Sequence, residues 1–168
     1  TLEGTDLLVS SQTGSGKTAA FLLPCLHRLD QPSALPGRGP RVLVLTPTRE
    51  LAMQVAKAAI TYGRHVPGLR VATVVGGVPY PAQLKALRGP LDVLIATPGR
   101  LIDHLQSGRC VLANIEMLVL DEADRMLDMG FIDDIHLIAD ATPKARQTVM
   151  YSATFAGNVG ALAAKLLR

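Results

Sequence analysis

Six short apolar runs recur along the chain, at residues 6–11, 41–46, 70–75, 92–97, 117–121 and 147–152. None has a polar alternate face, so each reads as a strand buried on both sides. Between them lie segments of helical periodicity at 17–29, 47–62, 81–88, 98–106, 131–139 and 158–167. In the second of these, Leu51, Val55, Ala58, Ala59 and Tyr62 fall on one face. Strand and helix alternating over the whole length predict a three-layer α/β domain, a parallel sheet covered on both faces. Ligands of such a sheet bind beyond the carboxyl ends of its strands. Segment 31–40 is rich in Pro and Gly and reads as a surface loop.

Composition narrows the class of partner. The 168 residues suffice for one domain with a full core, and 48% hydrophobic with 18% charged is a globular balance. A net charge of +3 and a pI of about 9.1 permit a polyanionic partner without establishing one. No apolar run approaches the roughly 20 residues of a membrane span, and residues 1–6 do not read as a signal peptide. Cys25 and Cys110 lack metal-ligand spacing and read as reduced thiols of an intracellular, cytoplasmic protein. His27, His65, His104 and His136 are scattered, and each reads as a solvated or half-buried helix residue. The first run begins near the start and the last helix reaches the end, as in a piece cut from a longer protein.

Two motifs together point to a nucleotide. Ser11-Gln12-Thr13-Gly14-Ser15-Gly16-Lys17-Thr18 follows a strand and opens a helix, the setting a P-loop needs. Gly14 and Gly16 permit a tight backbone that turns successive N–H groups toward phosphate oxygens. The helix N-terminus adds its positive dipole end. Lys17 would reach the β- and γ-phosphates, and the Thr18 hydroxyl would ligate Mg²⁺. Ser11 stands where the general pattern has its first glycine, so the match is partial there. The second motif, Asp121-Glu122-Ala123-Asp124, stands at the exit of an apolar strand. Three carboxylates in four residues are costly to hold together without a cation or partner. Asp121 is the candidate to hold Mg²⁺ through water. Glu122 is the candidate to orient or deprotonate the attacking water. Asp124 is less defined by chemistry alone and can equally be an N-cap for 125–128.

One pattern occurs twice: Thr46-Pro47-Thr48-Arg49 after the second strand and Thr97-Pro98-Gly99-Arg100 after the fourth. In each, the first Thr can cap and Pro suits the first helical position. Arg near a helix N-terminus opposes the dipole at a cost of about 0.3–1 kcal/mol, and its repetition suggests an anion. Gly76-Gly77 after the third strand allows close backbone approach. Together these elements suggest a track for a phosphate backbone, contacts that position a strand without reading its sequence. Two well-capped helices with surface arginines remain the alternative.

The ordered set resembles the DEAD-box ATP-dependent RNA helicases. It comprises the Gln12–Thr18 loop, Pro47-Thr48-Arg49-Glu50-Leu51, Gly76-Gly77, Thr97-Pro98-Gly99-Arg100-Leu101, Asp121-Glu122-Ala123-Asp124 and Ser152-Ala153-Thr154. The likeness runs on through Arg125-Met126-Leu127-Asp128-Met129-Gly130-Phe131. It implies the first of two RecA-like domains of a helicase core, over 1–168, with ATP and Mg²⁺ as ligands and RNA as polymer. It implies ATP on Ser11, Gln12, Thr13, Gly14, Ser15, Gly16, Lys17 and Thr18, and a catalytic set of Lys17, Asp121 and Glu122. It implies RNA backbone on Pro47, Thr48, Arg49, Gly76, Gly77, Thr97, Pro98, Gly99 and Arg100. It also implies that Asp124, Ser152 and Thr154 couple hydrolysis to strand separation. The family's upstream adenine-reading segment and its second RecA-like domain, which carries arginine fingers, are not in this sequence. Arginine fingers are worth roughly 10³–10⁵ in rate in related hydrolases. The resemblance therefore implies that this domain alone, expected to be monomeric, turns over little. A DNA-directed superfamily 2 helicase or translocase, and a non-catalytic nucleotide-binding module, are the competing readings.

Overall fold

A strand that packs helices on both faces sends alternate side chains to two separate cores, and these strands do so. The computed structural model describes residues 6–10, 17–29, 39–88 and 90–167. Its strands are β1 (Leu7–Ser10), β2 (Val42–Leu45), β3 (Val71–Val74), β4 (Val93–Ala96), β5 (Met117–Leu120) and β6 (Gln147–Ser152). Its helices are α1 (Lys17–Leu29), α2 (Arg49–Tyr62), α3 (Tyr80–Arg88), α4 (Pro98–Gln106), α5 (Ala123–Asp128), α6 (Ile132–Asp140) and α7 (Asn158–Leu166). The strands form one all-parallel sheet in the order β1-β6-β5-β2-β4-β3. Val42, Val44, Val93, Ile95 and Val119 pack against Leu22, Leu26, Val55 and Ala59 of α1 and α2. Leu43, Leu45, Leu94, Leu118 and Leu120 pack against Leu101, Met126, Ile135 and Leu162 of α4 to α7. The three-layer α/β expectation is met.

Burial is less uniform than the apolar runs suggest. All residues of β2, β4, β5 and β6 are buried, but β1 and β3 are buried only in part, along alternating positions. Both stand at the sheet edges, where one flank has no neighbouring strand among the described residues. Periodicity identifies a strand but not its rank in the sheet. Asp6 fastens β1 by accepting the Thr148 N–H at 2.7 Å.

Two helices differ from expectation in ways that matter for the site. α2 begins at Arg49 rather than Pro47, capped by the Thr48 hydroxyl, which accepts the Leu51 N–H at 3.3 Å. Its inner face is Ala52, Val55 and Ala59, while Tyr62 is exposed. A short helix, α5, starts at Ala123, so Asp124 lies inside its first turn and does not cap it. At the opposite end of the sheet, Glu116 joins Arg41 and Arg28 in ion pairs, and Arg28 donates to Gln147 at 3.2 Å.

Candidate nucleotide and nucleic-acid site

Every motif singled out in the sequence falls at a strand's carboxyl end, and strand order divides them. On one side, β1 leads toward the glycine-rich loop, β6 toward Ser152-Ala153-Thr154 and β5 toward the acidic tetrad. On the other, β2, β4 and β3 lead to Thr46-Pro47-Thr48-Arg49, Thr97-Pro98-Gly99-Arg100 and Gly76-Gly77. Ser11, Gln12, Thr13, Gly14, Ser15 and Gly16 lie outside the described residues. Lys17 and Thr18 are the first two residues of α1, and their side chains lie outside the description too. The halves meet where the Asp121 N–H donates to the Leu45 carbonyl at 2.8 Å.

The acidic turn is buried and conformationally costly. Asp121 and Glu122 are 1% and 7% exposed. Glu122 has φ 54 and ψ 55, the one left-handed non-glycine backbone among the described residues. That conformation costs an ordinary L-residue about 1–2 kcal/mol. It turns the chain from β5 into α5 within one residue. Strain of this kind persists where the surroundings over-determine it, and it concentrates at functional sites. The Glu122 carboxylate lies 3.7 Å from Arg125 Nη1, whose side chain is half exposed. Solvent screening leaves such a contact little energy. Tyr151, on the strand beside Asp121, has its phenol pushed up to about 12 by burial and by the charges of Cys25 and Asp121.

Thr46 supplies a second polar group at this edge. It follows Leu45, the register partner of Leu120, and so stands next to Asp121 across the sheet. Its hydroxyl is buried and has no hydrogen-bond partner among the described residues. Hard oxygen donors collected at a buried strand edge fit Mg²⁺, which uses one or two carboxylates and fills its remaining positions with phosphate oxygens and water.

Ser152 is buried, and its hydroxyl donates to the Thr154 carbonyl at 2.6 Å. Thr154 is exposed. Asp124 and Thr154 line one cavity of about 180 Å³, together with Leu127, Asp128 and Asn158.

The two arginines of the repeated pattern converge on one loop. Arg49 Nη1 donates to the Gly77 carbonyl at 3.5 Å, and Arg100 Nη1 donates to the Val78 carbonyl at 2.9 Å. Gly77 has φ 81, and a Cβ there would sit 2.8 Å from Arg49 Nη1. The backbone therefore favours glycine here, while the exposed Arg49 guanidinium is close but free to give way. The repeats are not alike in detail. Arg49 is the first residue of its helix and Arg100 the third. Thr97 occupies the N-cap of α4 with Pro98 next to it but makes no side-chain cap bond. Pro47 and Pro98 are buried, so they set the helix starts and do not face solvent. Gly76, Gly77 and Arg49 are exposed, and Gly99 and Arg100 are half-buried.

Two residues of this half were not identified from the sequence. His104, expected to be at least half exposed, is fully buried, and its Nε2 lies 2.9 Å from Gln83 Oε1. Burial, with Arg109 and Arg100 nearby and Asp103 opposing, lowers its pKa and favours the neutral ring. Gln83 is buried and donates to the Val75 carbonyl at 2.7 Å. The available signal was the spacing of Arg100 and His104, four apart on one helical face.

Residues 1–162 match the family model for DEAD/DEAH box helicases. The chain belongs to that family. It is 49% identical over 153 residues to the ATP-dependent RNA helicase DeaD of Escherichia coli K12, covering 91% of this chain and 24% of that protein. It is 47% identical over 167 residues to DeaD of Buchnera aphidicola from Acyrthosiphon pisum, covering 99% and 27%. A solved structure titled as a hypothetical ATP-dependent RNA helicase from Sulfolobus tokodaii superposes with a TM-score of 0.86 at 39% identity. That match covers 98% of this chain and 46% of the other. The chain thus spans about a quarter of its curated DEAD/DEAH box relatives. Among the described residues, no helix is long and apolar enough to cross a membrane.

Proposed function

We propose that this chain is the first RecA-like, ATP-binding domain of an ATP-dependent RNA helicase that hydrolyses ATP to separate short duplexes. The observation carrying this reading is the strand order. It gathers the nucleotide motifs on β1-β6-β5 and the phosphate-track motifs on β2-β4-β3, which meet along the β5–β2 pairing and, at its carboxyl end, where the Asp121 N–H donates to the Leu45 carbonyl.

In this reading Ser11 to Gly16 cradle the phosphates, Lys17 neutralises their charge, and Thr18 and Asp121 hold Mg²⁺. Bound Mg²⁺ supplies charge neutralisation at the transferring phosphoryl group. Glu122 orients or deprotonates water, its carboxylate aimed by the left-handed turn at the end of β5. Arg49, Arg100, Gly76 and Gly77 engage successive phosphates of one strand, with Thr48, Thr97 and Gly99 shaping the two helix starts. Asp124, Ser152 and Thr154 relay the state of the acidic turn, Asp124 and Thr154 across the cavity they line and Ser152 through its hydrogen bond to Thr154. Rapid turnover then needs a second RecA-like domain to complete both sites. The fragment acts as a monomer, and the full protein is cytoplasmic.

Glu122→Gln in the full-length protein tests the assignment: ATP binding should persist and hydrolysis should fall to background. Wild-type turnover would refute it. Arg49→Ala with Arg100→Ala should weaken RNA binding equally for all sequences and flatten its salt dependence. ATPase stimulation by RNA should exceed stimulation by DNA; the reverse order would favour a DNA translocase.

A further inference from the structure

Three carbonyls of the loop after β3 are held by side chains. Val75 O accepts from Gln83, Gly77 O from Arg49 and Val78 O from Arg100. In a trans peptide the N–H of the next residue points opposite to the carbonyl. Drawing in the Val75 and Gly77 carbonyls therefore turns the Gly76 and Val78 N–H groups the other way. An array of N–H groups so directed favours an anion.

Gln83 is the member of this arrangement that contacts both motifs. Its Nε2 donates to Val75 O, while its Oε1 accepts from His104 Nε2 at 2.9 Å and from Arg100 Nη1 at 3.4 Å. The amide orientation is fixed by chemistry. Arginine can only donate and a backbone carbonyl can only accept, so oxygen must face Arg100 and nitrogen must face Val75. A neutral His104 then donates from Nε2. The same Arg100 nitrogen also reaches Val78 O, which closes the link from α3 through α4 to the loop.

We propose that Gln83 is a positioning residue for nucleic-acid binding, fixing the loop after β3 and Arg100 in one relative geometry so that both meet the same phosphate backbone. The proposal rests on the phosphate-track reading above. It adds a residue that has no contact with the strand, is buried, and acts through Val75 and Arg100.

The test uses the full-length protein, a fluorescein-labelled oligouridylate and a non-hydrolysable ATP analogue, with anisotropy read across a salt series. Gln83→Met removes both polar contacts at similar volume. Gln83→Glu keeps an acceptor for Arg100 and His104 but cannot donate to Val75. Each should weaken RNA binding about tenfold, the scale of one lost buried hydrogen bond. Nucleotide affinity should stay unchanged. Gln83→Met combined with Arg100→Ala should bind within about twofold of Arg100→Ala alone, because the two act as one unit. Wild-type affinity in Gln83→Glu, or a double variant whose loss equals the product of the single losses, would overturn the proposal. Thermal melts of both variants identify any loss of fold, and if Gln83→Met does not fold, Gln83→Glu decides. Arg49→Ala with Arg100→Ala separates the two levels. Unchanged binding there removes the phosphate track itself, whereas loss there with normal binding in Gln83→Glu removes only the positioning role.

Discussion

Gly76 and Gly77 are adjacent and chemically identical, yet they should respond oppositely to a methyl group. At Gly77 the backbone lies at φ 81, and an added Cβ would stand 2.8 Å from Arg49 Nη1. The left-handed conformation costs alanine about 1–2 kcal/mol, while the stiffer unfolded chain returns about 0.4–1 kcal/mol. Arg49 is exposed and its guanidinium can swing aside, so the close contact adds only a few tenths. The net cost is about 1 kcal/mol. Gly76 is outside the left-handed region, and a Cβ there meets nothing within 4 Å. Gly76→Ala keeps only the unfolded-state gain of up to about 1 kcal/mol. The two variants should therefore differ by about 1–2 kcal/mol, or roughly 3–6 °C in Tm for a chain of this size. Differential scanning calorimetry of both variants measures that gap. Placing Gly77→Ala in an Arg49→Ala background should recover only the small contact contribution, because backbone conformation dominates. A Tm for Gly77→Ala at or above that of Gly76→Ala would refute the reasoning.

At the opposite end of the sheet, Glu116→Ala strips the carboxylate from two arginines, one of them with only 12% of its side chain exposed. Urea titration should show a loss of about 2–4 kcal/mol, and a loss under 0.5 kcal/mol would mean that solvent already screens the cluster. Alkaline pH gives another expectation. Burial lifts Cys25 from 9.0 to about 12 and Cys110 from 9.0 to about 11, and Tyr151 is raised from 10.0 to about 12. These groups stay protonated in the folded chain where the unfolded chain has lost the proton. Their contribution is complete below pH 9 and is lost as pH rises toward 11–12, at up to about 1.4 kcal/mol per unit for each ionising group. Urea midpoints should fall between pH 8 and pH 10, and native-state thiol labelling should be slow until unfolding. Acid acts on His104 in the other sense. Its lowered pKa favours the fold above pH 6.5, and that share is lost below it. His104→Gln should flatten stability between pH 6.5 and 5 in thermal melts.

Much of the architecture was legible because strand and helix periods are local properties. The apolar runs at 42–45, 93–96 and 117–120 read correctly as buried strands, since continuous hydrophobicity needs cover on both faces. The edge strands β1 and β3 read the same way and are only part-buried, because edge position depends on which strands become neighbours. Helix starts were misread where capping chemistry was duplicated. Thr46 and Thr48 both precede α2, and only the folded backbone gives the cap to Thr48 and buries the Thr46 hydroxyl without a partner among the described residues. Asp124 looked like a cap because a carboxylate suits a helix start; the left-handed Glu122 moves that start two residues earlier.

By itself the sequence determined the chemical vocabulary: a glycine-rich Lys-Thr loop, an acidic strand end, two Thr-Pro-x-Arg turns and a Gly-Gly pair. Such groups are recognisable because their function depends on residue type within a few positions. Only the tertiary structure decided which of them are neighbours. Pairing β1 with β6 and β4 with both β2 and β3 sorts the motifs into two halves that chain order does not suggest. It also brings Gln83, Arg100 and His104 into one buried network beneath the Gly77 loop. Their coupling is a matter of distances between residues far apart in the chain, and parallel strand pairing sets those distances only when the whole sheet forms.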